Sequence, residues 1–288
     1  MVGCSVTKHL PPDAVLLKKN EVIVNGENAV DSVKNIVQPK PNKRFLGIPF
    51  GLLLYQSAND STGVAFDRWL TKKPNRKKRM ELLWSKKQLT KMKDYRLGFQ
   101  DWKKRNGEPP VFSDSLSSSS NAQKLKAFFS NEGYFNAAVK TVTNTKKFKS
   151  NVRYDVTTNI PYYLDSIQAN IQSPVLDSIY KAAVQKSALQ RGNRFRTIDF
   201  DQERNRLFTL FRNAGVFPFQ LNAIDFSVRI DSTGTDYRLP VQLNIRNFIE
   251  NQEGTAVEKE YQISRMNNIK VDVSKVGNTG NEADDSMG

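Results

Sequence analysis

The chain has 288 residues, 38% hydrophobic and 25% charged, which is enough apolar surface for real cores and excludes wholesale disorder. Lys and Arg total 44 against 29 Asp and Glu, and the resulting +15 favours an anionic neighbour such as nucleic acid, acidic lipid or lipopolysaccharide. One Cys and one His exclude an internal disulfide, a Cys/His zinc site and a Cys-pair redox centre. His9 lies in a Pro-rich amino-terminal stretch, a poor support for a Ser-His-Asp triad, and GxSxG, HExxH, GxxxxGK(S/T) and GxGxxG are all missing. No apolar run reaches the ~18 residues of a membrane-spanning helix. Phe45 to Tyr55 is short and interrupted by Gly47, Pro49 and Gly51.

Cys4 stands in Met1-Val2-Gly3-Cys4-Ser5 ahead of a polar, Pro-containing tether. This resembles the end of a bacterial lipoprotein signal, in which a small residue precedes the Cys that becomes lipidated. The hydrophobic part of such a signal is not in the sequence, and an ordinary buried or free thiol is the other reading.

Further along, the segment Arg68 to Arg105 holds fifteen basic residues against three acidic ones, with its densest run at Lys72, Lys73, Arg76, Lys77, Lys78 and Arg79. Trp69, Leu70, Met80, Leu82, Leu83, Trp84, Leu89 and Trp102 are interleaved with them. The pattern predicts a helical hairpin packed on its neighbouring domain, with the other side toward an anionic surface. A solvated face that maintains solubility competes with that reading.

The next elements occur twice. Leu125-x-x-Phe128-Phe129-x-Asn131-x-Gly133-x-Phe135 returns as Leu207-x-x-Leu210-Phe211-x-Asn213-x-Gly215-x-Phe217, with the two glycines 82 positions apart. The i, i+3, i+4 spacing predicts one buried helix face, and each glycine takes the left-handed position that ends a helix. A hairpin follows each. In the first, Val139, Thr141 and Thr143 alternate with Ala138, Lys140, Val142 and Asn144, and Val152, Tyr154 and Val156 share a face of the return strand. In the second, Ile224, Phe226, Val228 and Ile230 point one way, Asp231 to Asp236 turns, and Leu239, Val241, Leu243 and Ile245 return. Tyr162-x-Leu164-x-x-Ile167 also recurs, as Tyr261-x-Ile263-x-x-Met266.

Between the copies, Ser173-Pro174 predicts a capped helix with Val175, Ile179, Ala182 and Ala183 inward. Gly192-x-x-Phe195 leads to a helix starting near Asp199 or Asp201, where Asp199, Asp201 and Glu203 read as an acidic helix start favoured by the macrodipole. The unit reads strand, helix, helix, strand, strand.

That order, with the Tyr-x-(Leu/Ile) opening and the Phe-x-Asn-x-Gly-x-Phe helix ending, resembles the POTRA domain that precedes an outer-membrane barrel in the BamA/TamA family. Pro161 to Phe248 matches throughout. In the first unit Asn20 to Asn25 would open the fold, and a long insertion runs from Gln38-Pro-Lys-Pro-Asn42 and Phe45-Leu46-Gly47 to Gly107-Glu-Pro-Pro-Val111. Those two motifs resemble the lipoprotein branch called TamL, which also carries a lipidated amino-terminal Cys. Val216 departs from the usual Gly-Tyr-Phe, present in the first unit as Gly133-Tyr134-Phe135.

The resemblance implies an α+β fold of tandem POTRA domains, each a three-stranded mixed sheet packed on two helices. It implies a lipoprotein tether over 1–19, a first domain over 20–160 with the basic insertion at about 39–112, and a second domain over 161–250. Residues 251–288 would be a linker and the opening strand of a third domain, Tyr261 to Val273, followed by a Gly-, Asn- and Asp-rich tail at 277–288. The expected function is the periplasmic part of an outer-membrane protein insertion or translocation factor, with no enzymatic role and no cofactor. Its partners would be the outer membrane, through Cys4 and a carboxy-terminal barrel outside this sequence, a TamB-like periplasm-spanning protein, and unfolded outer-membrane clients.

Recognition would proceed by β-augmentation at the middle strand of each unit, Ala137 to Asn144 and Asn222 to Asp231. The edge residues are Ala137, Val139, Thr141, Thr143, Ala223, Asp225, Phe226 and Val228. Two alternatives stand beside this: a POTRA module of a dedicated secretion transporter, and a basic protein whose Lys77-Lys78-Arg79 and tryptophans meet nucleic acid. The second leaves the repeat and Cys4 unexplained.

Overall fold

The computed structural model describes residues 10–11, 13–73, 75–230, 236–252 and 255–265. Cys4, His9, most of the Asp231 to Asp236 turn, Met266 to Val273 and the 277–288 tail lie outside them. The fold is α+β, and the chain divides into two compact units, one built mainly on residues up to Tyr163 and the other mainly on residues from Leu164.

In the first unit, strand β1 (Leu16–Val24) turns through Asn25 and Gly26, both at positive φ, into the two-residue β2 (Glu27–Asn28). The opening strand therefore starts at Leu16, four residues before the expected Asn20, because Leu16 and Leu17 are buried and pair with Lys149 and Ser150. Helix α1 (Asp31–Lys34) is a single turn. The insertion follows as α2 (Phe50–Gln56), α3 (Thr62–Thr71), α4 (Arg76–Leu83) and α5 (Lys86–Asn106), four helices where a hairpin was expected. Leu52, Phe66 and Leu89 are its buried residues among those described.

Asp114 starts α6 (Ser115–Asn131) by accepting the Leu116 and Ser117 amides at 2.8 and 3.0 Å, which satisfies donors that a helix start leaves free. β3 (Ala138–Lys146) and β4 (Lys149–Thr157) close the unit as a hairpin whose two-residue turn, Lys147-Phe148, takes positive φ at both positions. The sheet order is β2-β1-β4-β3, with β1 parallel and β3 antiparallel to β4. Leu125 and Phe129 from α6 pack on Val152, Tyr154 and Val156, the three alternating residues expected to share a face.

The second unit runs β5 (Tyr163–Ile171), α7 (Pro174–Ala183), α8 (Thr197–Asn213), β6 (Ile224–Val228) and β7 (Arg238–Ile245), with sheet order β5-β7-β6. Strand, helix, helix, strand, strand is the expected order. Its core joins Leu207 and Phe211 to Leu243 and Ile245, and Leu239 and Val241 are also buried. On α7 Leu176 and Tyr180 are buried in this core and the expected Ile179 packs against it, while Ala182 is exposed, so the inward face is partly rotated from the expected one. Ser173 occupies the N-cap position, but its hydroxyl is used elsewhere: it donates to Asn247 Oδ1 at 2.6 Å and accepts the Tyr261 amide at 2.9 Å.

The stretch read as a linker forms a further hairpin, β8 (Phe248–Gln252) and β9 (Thr255–Lys259). Tyr261 after it is buried in the second core, its ring 5.1 Å from those of Phe219 and Phe248. Tyr162, the matching residue ahead of β5, is also buried, its ring 5.2 Å from that of Phe135. Residues 261–265 are in neither helix nor strand, so no opening strand of a third unit lies among the described residues.

Both helix endings behave as their sequence dictates. Gly133 and Gly215 take φ of +89° and +94°, and the Val216 substitution leaves the second ending intact with Val216 buried. The carbonyl of each then accepts an amide from beyond the hairpin at 2.9 Å, Tyr162 on Gly133 and Ser264 on Gly215.

Candidate functional site

The candidate edges follow from the pairing of the two hairpins. A two-residue turn makes its flanking residues, Lys146 and Lys149, a hydrogen-bonded pair, so alternate residues back along β3 face β4 with their main chain. Ala138, Lys140, Val142 and Asn144 are that set. The amides and carbonyls of Val139, Thr141 and Thr143 therefore point away from the sheet along its outer border, since β3 is terminal in the order. The register agrees from the other side: Val156 gives its carbonyl to Asn25, on the β1 flank, and Val156 is opposite Val139.

In the second unit the Ala223 carbonyl accepts the Arg246 amide at 3.2 Å and the Arg229 amide donates to the Pro240 carbonyl at 3.3 Å. Odd-numbered residues of β6 thus face β7, which leaves the main chain of Phe226 and Val228 along the open border. Pro240 has no N–H to return to Arg229, which is why β6 ends at Val228 and not at Asp231. Ile230 consequently lies past the strand and is exposed.

Five of the expected edge residues, Val139, Thr141, Thr143, Phe226 and Val228, present main-chain groups outward. Three do not. Ala137 precedes β3, is buried, and donates its amide to Tyr134. Ala223 sits in the 3-10 turn Leu221–Ala223, buried, with its carbonyl taken by Arg246. Asp225 has an exposed side chain, but its main chain belongs to the set that faces β7 opposite Asn244. Side-chain alternation was visible in the sequence, whereas the hydrogen-bonding phase needed the pairing partner.

Of the expected anionic contacts, Lys72, Lys73, Lys77, Lys78 and Arg79 are exposed. Arg76 is not a free cation. Its guanidinium donates to the Trp69 carbonyl at 2.7 Å and lies 5.0 Å from the centre of the Trp69 ring. Leu82, Leu83, Trp84 and Trp102, expected to pack inward, are exposed. Sequence reasoning missed Tyr95 and Phe99, which their spacing with Trp102 places on one face of α5.

Burial shapes one polar cluster that was also misread. Glu203 lies in the second turn of α8, buried, where Arg206 pairs with both its oxygens and the Ala188 amide donates to it at 2.9 Å. Beside it, burial and then the Glu203 charge push the Tyr180 hydroxyl above its ordinary pKa, against the smaller opposing effect of Arg206. No helix among the described residues is long and apolar enough to cross a membrane.

No family model matches this chain, and no curated protein does. Among solved structures it is similar to Haemophilus influenzae BamA POTRA3-5, at 14% identity over 82% of this chain and 68% of that one, with a TM-score of 0.34. It is also similar to POTRA1-3 of the periplasmic domain of Omp85 from Anabaena, at 10% identity over 80% of this chain and 61% of that one, with a TM-score of 0.30. The N-terminal domain of Omp85 from Thermosynechococcus elongatus matches at 16% identity over 47% of this chain and 51% of that one, with a TM-score of 0.27.

Proposed function

We propose that the chain is the periplasmic part of an outer-membrane protein insertion or translocation factor of the TamL-like branch, built of tandem POTRA domains and held at the membrane through a lipidated Cys4. It acts by binding, not by catalysis. A client strand, or a strand of a TamB-like partner, adds to the β3 border of the first unit or the β6 border of the second, and main-chain hydrogen bonds supply an affinity largely independent of client sequence.

One observation carries this reading: both units end their sheet on the middle strand of the fold, and in both the outward main-chain set can be named, Val139, Thr141 and Thr143 in one and Phe226 and Val228 in the other. An open strand border is a standing aggregation hazard, so keeping it twice in one chain fits use better than accident. The part-buried Phe226 and Val228 side chains favour apolar residues at alternate client positions.

Photo-crosslinking in cells tests the reading. A photoreactive residue at Lys140 or Ser227, whose exposed side chains stand beside the open main chain, captures outer-membrane clients or the periplasm-spanning partner. Capture confined to surfaces away from both strands rules out pairing at these borders.

A further inference from the structure

The helical insertion carries a second surface, independent of the strand borders. α4 ends on Leu82 and Leu83, 87% and 74% exposed, and Trp84 beside them is 47% exposed. The turn presenting them is held by a reciprocal cap: Ser85 Oγ accepts the Gln88 amide at 3.3 Å, and Gln88 Oε1 accepts the Ser85 amide at 2.9 Å. Along α5, Tyr95, Phe99 and Trp102 follow at i, i+4 and i+7, all exposed, with the Phe99 and Trp102 rings stacked 5.8 Å apart. Trp84, Met92, Tyr95 and Phe99 line one open groove of about 780 Å³ together with Lys91 and Arg96, so the apolar tip and the aromatic face are continuous.

Lys91 and Arg96 line the groove itself, and further cations lie close by in sequence. Lys77, Lys78, Lys86, Lys87 and Lys91 are exposed and form no ion pair among the described residues, in contrast to Lys93 and Lys104, which pair with Asp67 and Asp60. The occupant must accept a protruding aliphatic tip and a spread of unpaired lysines at once. Lysine ammonium groups are mobile point charges without the fork geometry of a shaped protein contact. Trp and Tyr favour the water–hydrocarbon boundary, and basic residues next to them meet lipid phosphates.

We propose that this surface docks on an anionic bilayer, with Leu82, Leu83 and Trp84 in the interfacial layer and the five lysines against the phosphates. The docking holds the insertion at the membrane without a spanning segment. Neither apolar contact nor charge suffices alone, as for other peripheral anchors that combine two weak signals. The inference rests on the insertion and not on strand pairing.

Flotation of the unlipidated 288-residue chain with vesicles tests it. The chain binds a phosphatidylethanolamine–phosphatidylglycerol mixture, binds phosphatidylcholine weakly, and is released by salt. K77Q/K78Q weakens partitioning roughly 25-fold, the equivalent of about 1 kcal/mol for each lost cation. L82S/L83S weakens it at least as much while leaving the circular dichroism spectrum unchanged. Brominated lipid quenches tryptophan emission, and W84F reduces the quenching. Equal binding to both vesicle types, full binding by L82S/L83S, or quenching undiminished by W84F overturns the proposal. So does tighter binding to single-stranded DNA or to a soluble acidic protein than to anionic vesicles.

Discussion

Arg206 sits one turn after Glu203 on α8 and donates to both carboxylate oxygens, Nε to Oε2 at 2.8 Å and Nη2 to Oε1 at 2.6 Å, while the Glu203 side chain is only 2% exposed. A charge so buried depends on its partner, and removing either leaves the other uncompensated. Arg206→Ala is expected to cost about 3 kcal/mol in urea unfolding, a value at the low end for buried pairs. Replacing both by Met costs less than that single change, because no orphan charge remains. A double variant as unstable as Arg206→Ala would show that packing, not charge pairing, sets the value.

Alkaline pH probes the same region. Burial, then the Glu203 charge, raises Tyr180, and burial raises Tyr261, both from an ordinary value of 10.0. A hydroxyl whose folded pKa lies above its unfolded one binds more protons in the folded state between the two values, so its stabilising contribution is complete below pH 10.0 and is lost as pH rises through the folded pKa. Chemical denaturation at stepped pH should show stability falling from about pH 10 upward, with a shallower fall in Tyr180→Phe. An unchanged slope in that variant assigns the loss to other groups.

Gly215 and Gly26 separate backbone strain from crowding. Both take positive φ, +94° and +91°, but a Cβ on Gly26 meets open space, whereas one on Gly215 would sit 3.0 Å from Ile263 Cγ2 and 3.1 Å from the Ser264 carbonyl oxygen. Gly26→Ala should cost about 1 kcal/mol for conformation alone. Gly215→Ala adds the displacement of the 263–264 segment and should cost about 2 to 3 kcal/mol. Equal losses would mean that this segment yields freely.

Proline substitution separates the two main-chain sets of β3. The Thr141 amide points along the open border and the Val142 amide toward β4. Thr141→Pro should keep the fold and lose capture of an incoming strand, whereas Val142→Pro breaks a ladder bond and lowers stability by about 1 to 3 kcal/mol. If Thr141→Pro captures partners as well as the wild type, recognition uses another surface.

What the sequence determined by itself was the local grammar of the repeat. Leu125 with Phe129, and Leu207 with Phe211, had to share a helix face, Gly133 and Gly215 had to end their helices, and Val152-x-Tyr154-x-Val156 had to alternate, because each depends only on residues a few positions apart. The position of the middle strand at the border came with the resemblance to a known domain order. Only the tertiary structure decided which main-chain groups face outward along β3 and β6, that Pro240 shortens β6, that Tyr261 completes the second core, that Ser173 serves Asn247 and Tyr261, and that Glu203 is buried against Arg206. Each of these depends on a partner distant in sequence or on the rotation of a whole element. Composition and periodicity carry no record of which surfaces meet, and the free energy of burial is settled only when they do.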